Sequence, residues 1–143
     1  MNGHEVNTFW LVFRSGEHWF CKFLKKDFGH VYVLFHDKYN WVGINPRSYR
    51  LECKVLNFKP SDDIGRQMHN KFGYKVIKVT TRVNCNRTIN MQMFYSLTCV
   101  SMVKYITGIR LFAWTPWQLY KRLRKMYGNK KYYAGVEFID YIL

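Results

Sequence analysis

Residues 30–45 read HVYVLFHDKYNWVGIN, and this stretch decides the fold class. From His30 to His36 the run is dominated by β-branched and aromatic residues, which suit a pleated, packed surface. Asp37 and Lys38 interrupt it with turn chemistry, and Tyr39 to Asn45 resumes the pattern, so the two runs are expected to pair as an antiparallel hairpin. If Asp37-Lys38 is a two-residue turn, His36 pairs with Tyr39, and counting outward sets His30 opposite Asn45 on one face of the sheet. A four-residue turn, Asp37 to Asn40, sets His30 opposite Arg47 instead.

The neighbouring segments extend this sheet. Asn7 to Arg14 (NTFWLVFR) reads as a preceding strand and Tyr49 to Phe58 as a following one. Glu17 to Lys26 (EHWFCKFLKK) reads two ways. It suits a short amphipathic helix with Trp19, Phe20, Phe23 and Leu24 inward, or a strand in which His18, Phe20, Lys22 and Leu24 alternate. Further on, Ser61 is placed to cap a helix whose first turn holds Asp62 and Asp63, with Ile64, Met68 and Phe72 inward and Gly73 as its end. Tyr74 to Val83 alternates apolar and basic residues, as a half-exposed strand does, and Asn84 to Asn90 is a polar loop.

Two helices follow. Thr98 caps Cys99 to Thr107, which Gly108 closes. Thr115-Pro116-Trp117-Gln118 combines a Thr cap, proline at the first helical position and a glutamine that completes a capping box. It opens a helix from Pro116 to Tyr127 with Leu119, Leu123 and Met126 on one side. Trp117 is expected in the core, and a final strand is expected over Gly135 to Ile142. Strands first, then helices among strands, indicate an α+β fold around an antiparallel sheet.

Three prolines, no linker and no repeat leave residues 1–143 as one domain, and 48% apolar with 19% aromatic residues suffices for a core. Met1 to Trp10 lacks a basic region followed by an apolar one, and no apolar run approaches the roughly 20 residues that span a bilayer. A soluble, cytoplasmic protein is therefore expected as synthesised. Cys21, Cys53, Cys85 and Cys99 stand apart with no CxxC pair, so neither a metal site, a cofactor nor a disulfide scaffold is implied.

The net charge of +14 is confined to one part of the chain. Between Ile64 and Val136 there is no Asp or Glu but there are fourteen bases: Arg66, Lys71, Lys75, Lys78, Arg82, Arg87, Lys104, Arg110, Lys121, Arg122, Arg124, Lys125, Lys130 and Lys131. Like charges repel one another across a folded surface, so such a segment implies a partner that supplies the opposite sign. Nucleic acid, an acidic cell-wall polymer and an anionic membrane each meet that description. The expected surface joins the helix at Pro116 to the segment holding Lys71, Lys75, Lys78, Arg82 and Arg87, with Tyr74, Trp114, Trp117, Tyr120, Tyr127, Tyr132 and Tyr133 as rings that could stack on bases.

One constellation points to chemistry. Cys99 begins a helix after a Thr cap, where unpaired N–H groups favour a thiolate, so it is expected to react fastest of the thiols. A nucleophilic cysteine needs a base and a group to orient that base; His30 and Asn45 are the candidates. Cys99, Met102, Val103 and Ile106 also form a stripe at helical spacing, which fits a core role equally well.

The Gly-His-Val-x-Val strand opening at Gly29 and the Thr-Cys-Val-x-x-Val-Lys helix at Thr98 resemble the circularly permuted papain-like proteins of the NlpC/P60 and lecithin-retinol-acyltransferase-like groups. That resemblance, covering Gly29 to Gly108, implies Cys99 as nucleophile, His30 as base and Asn45 as orienting residue in a cysteine hydrolase or acyltransferase. The family often has Asn before the cysteine, where this chain has Thr98, and commonly His or an acid where it has Asn45. The chain is also similar to short proteins of tailed bacteriophages, which implies a non-catalytic accessory or virion protein, with other virion proteins as partners, gripping an anionic surface.

Overall fold

The central strand is apolar on both faces, and the fold follows from covering each of them. In the computed structural model, which describes residues 4–17, 19–47, 50–84, 98–128 and 138–140, β1 (His4–Arg14) lies between β2 (His30–His36) and β5 (Lys75–Asn84). Beyond β2 come β3 (Trp41–Arg47) and β4 (Arg50–Leu56); beyond β5 comes β6 (Phe138–Asp140). The order is β4-β3-β2-β1-β5-β6, and every pair is antiparallel. With α1 (Ile64–Phe72), α2 (Cys99–Thr107) and α3 (Pro116–Gly128), the architecture is α+β.

Side chains alternate between the two faces of a strand. Phe9, Leu11 and Phe13 share one face with Val31, Val33, Ile77 and Val79, and Val100, Val103, Leu119 and Leu123 of α2 and α3 bury it. Val12, Leu34 and Val76 project to the other face and pack with Trp41 under Ile64 and Met68 of α1. The sheet is thus sandwiched, with an α2–α3 face and an α1 face.

Both helices on the first face begin with hydroxyl caps. The Thr98 hydroxyl accepts the Ser101 N–H at 3.2 Å, and Gly108 ends α2 in the left-handed region at φ 74°. The Thr115 hydroxyl accepts the Gln118 N–H at 3.2 Å, while Gln118 Oε1 accepts the Trp114 N–H at 2.9 Å. Trp117 packs at the edge of this core.

Five sequence expectations are corrected. The β2–β3 turn has four residues, because Asp37 Oδ1 accepts the N–H groups of both Tyr39 (2.9 Å) and Asn40 (2.6 Å), holding Asp37 to Asn40 as a loop and moving β3 to Trp41. Asp63, not Ser61, caps α1, accepting the Arg66 N–H at 3.2 Å, and Phe72 is exposed rather than inward. Segment 17–26 forms neither an amphipathic helix nor a strand but a short 3₁₀ turn, Trp19–Phe23. Trp19 is 74% and Phe23 84% exposed there, their rings meeting edge-on with centroids 6.4 Å apart. β5 is not half-exposed: Val76 and Ile77 point to opposite faces and both are fully buried, since helices cover both sides. Lys78 adapts by lying over the Trp10 ring, 5.6 Å from its centre.

His18, Tyr49, Cys85, Arg87, Lys130, Lys131, Tyr132 and Tyr133 lie outside the described residues, and the final strand is described over Phe138–Asp140. Among the described residues, no helix is long and apolar enough to cross a membrane.

Candidate functional site

A close backbone approach positions His30. A Cβ on Gly29 would meet the Gly16 nitrogen at 2.3 Å, so the chain after β1 touches the start of β2 where only hydrogen fits. His30 opens β2 opposite Arg14, and its ring stacks beside Tyr32 with centroids 6.4 Å apart. Its Nε2 lies 2.6 Å from Asn45 Oδ1, and Asn45 Nδ2 donates to Glu52 Oε2 at 3.3 Å. The carboxylate fixes which end of the amide faces His30. Because Oδ1 only accepts, His30 carries a proton on Nε2 and donates it to Asn45. Glu52 is itself held by Arg47 at 3.3 Å and Lys54 at 3.2 Å.

The contact arises despite the longer turn. Pairs His36–Trp41 and Val33–Ile44, continued by count, set His30 opposite Arg47. Asn45 is then the diagonal neighbour on the same face, within reach of an imidazole. Burial pushes the His30 pKa below its ordinary value; the Asn45 hydrogen bond opposes this, and Arg14 and Arg47 reinforce it.

Cys99 does not join this group. His30 and Tyr32 belong to the α1 face, whereas Cys99 packs with Val31 and the core under α2 and α3. Alternation along β2 therefore separates the candidate nucleophile from the candidate base by the thickness of the sheet. Burial is also the largest influence on Cys99 and raises its pKa, outweighing the opposite pull of the backbone near Val31 and Val100. The core role of the Cys99 stripe is the one the packing expresses: Met102 and Val103 are buried and Ile106 packs beside them.

The bases divide likewise. Lys121, Arg122, Arg124 and Lys125 are exposed along α3. Lys71 is on α1, and Lys78 lies on the α1 face with Trp10. Lys75 pairs with Phe13 and so shares the other face, and Arg82 pairs with Val6 in β5. The surface expected to join α3 to the Lys71–Arg87 segment is thus interrupted by the sheet at Lys71 and Lys78, while Arg87 lies outside the described residues.

Around α3 the cations meet rings. Lys25 and Lys121 lie 5.3 and 5.7 Å from the centre of Trp117, Arg122 lies 5.3 Å from Phe112, and Arg124 lies 5.7 Å from Tyr120. The ion pairs among the described residues are Arg14–Glu17, Arg47–Glu52, Lys54–Glu52 and Arg66–Asp63; none engages Lys104, Arg110, Lys121, Arg122 or Lys125. Ser101, Lys104 and Tyr105 of α2, with Arg110 and Phe112 after it, line a cleft of about 520 Å³.

No protein-family model matches the chain, and no curated protein or solved structure is significantly similar to it.

Sequence reasoning missed Glu52 and the cleft. The cleft had a local signature. In IRLFAW, residues 109–114, Ile109 and Ala113 are buried while Arg110, Phe112 and Trp114 are exposed, a period of two that marks an extended segment with a basic, aromatic outer side. Glu52 had none, since its role depends on β4 pairing with β3.

Proposed function

We propose that the protein is a nucleic-acid-binding module whose contact surface is the outer side of α3 with the adjoining end of α2. One observation carries this reading: five cations, Lys104, Arg110, Lys121, Arg122 and Lys125, have no carboxylate partner among the described residues. In α3 they ride on a helix of 13 residues, about 20 Å long at ~1.5 Å per residue. Phosphates spaced along a strand match such a row, and each one neutralised releases condensed counterions. Exposed rings between the cations favour nucleic acid, whose bases offer π-faces to stack on. The same surface would serve a phage accessory or virion protein.

The test is a titration of a labelled oligonucleotide, followed by fluorescence anisotropy, in parallel with anionic phosphatidylserine vesicles. Oligonucleotide binding that the double variant Arg122→Glu/Lys125→Glu weakens supports the proposal. Vesicle binding alone would assign the surface to a membrane and overturn it.

A cysteine hydrolase or acyltransferase of the permuted papain-like kind is the second reading, favoured by the His30 ring held through Asn45. It requires Cys99 to reach His30 across the sheet and to ionise against its burial.

A further inference from the structure

A concave site with exposed rings in it calls for a ligand that has faces of its own. Tyr105 is 52% exposed, Phe112 62% and Trp114 67%, although each ring is large enough to anchor a core. Tyr105 and Phe112 line the cleft beside α2, and Trp114 packs edge-on against Phe112 with centroids 5.7 Å apart. Isolated exposed rings are ordinary, but three grouped at one cleft form a platform. Lys104 and Arg110 line the same cleft, and Arg122 reaches Phe112 from α3.

The volume of about 520 Å³ falls within the range of small-molecule sites, roughly 300–1,000 Å³, and suits one or two planar bases. A second cleft of about 520 Å³, on α1, also carries cations, Arg66 and Lys71, but Asp63 pairs with Arg66 at 3.8 Å and no ring lines it, so it offers nothing for a base to stack on.

We infer that the α2 cleft takes unpaired nucleobases, so that the nucleic acid bound is single-stranded. The inference rests on the binding surface proposed above and adds its specificity. Bases in a duplex are stacked on one another and leave no face for Tyr105 or Phe112, whereas bases of a single strand turn out and stack on such rings. Lys104, Arg110 and Arg122 then hold the flanking phosphates.

The experiment measures affinity for a single-stranded oligonucleotide, its duplex and inorganic polyphosphate, using wild type and the double variant Tyr105→Ala/Phe112→Ala. Both rings are exposed, so the variant retains the core, and a thermal melt verifies this. The expected result is tighter binding of the single strand than of the duplex. The variant should lose roughly tenfold or more on the single strand, the effect of removing a stacked base, with polyphosphate affinity unchanged. Equal binding of strand and duplex, or a variant with undiminished single-strand affinity, overturns the cleft assignment and leaves the basic surface standing. If none of the three polyanions binds, the surface proposal fails with it.

Discussion

Replacing Leu123 by alanine separates the two sides of α3. Leu123 is fully buried in the core that joins α3 to the sheet, while its neighbours Arg122 and Arg124 are exposed. The substitution removes three carbons, worth about 2.4 kcal/mol at ~0.8 kcal/mol each. The cavity left behind raises the loss to about 3–4 kcal/mol. Unfolding entropy is about 2.1 cal/mol/K per residue, so for 143 residues Tm should fall by roughly 10–13 °C. Circular dichroism melts and urea titrations measure this. Below the transition, oligonucleotide affinity should match wild type, because the binding side is intact. A loss of under about 1 kcal/mol would mean that α3 is not docked through Leu123, contrary to the packing described. A loss of affinity in fully folded protein would mean that the two sides do not act separately.

Two further outcomes concern the groups around β2. Native alkylation with iodoacetamide and peptide mapping should label exposed Cys53 before Cys99, whose thiol is half-buried and raised in pKa; prompt labelling of Cys99 would revive it as a nucleophile. His30 has a folded-state pKa below its ordinary 6.5, so the unfolded chain takes up that proton first. Its contribution to stability is therefore complete above pH 6.5 and declines as pH falls from there through the lowered folded value. Urea midpoints across this window should show that decline, and His30→Asn should flatten it; an equal decline in the variant would locate the proton uptake elsewhere.

Much of the architecture was legible because its signals are local. Thr98 and Gly108 bracket α2, and the Thr115-to-Gln118 box opens α3, so cap chemistry alone delimits both helices. β2 runs from His30 to His36 as its composition indicates. The hairpin register was less accessible, since the choice between a two-residue and a four-residue turn rests on where the Asp37 carboxylate points. Asn45 still reaches His30 because both alternatives keep the two residues on one face. The position of Cys99 was not legible at all. Alternation says that His30 and Val31 face opposite ways, but which face receives α2 depends on packing across the whole sheet. The same long-range fact divides the basic residues, which sequence order joins and the sheet separates.

The salt dependence of oligonucleotide binding tests the central claim most directly. For a single strand the slope of log K against log salt is about −0.7 per phosphate neutralised, so five cations give about −3.5. The account predicts that slope for wild type and a slope of about −2 for Arg122→Glu/Lys125→Glu, where two of the five are lost. An affinity that does not change with salt, or that is indifferent to the double reversal, would contradict it.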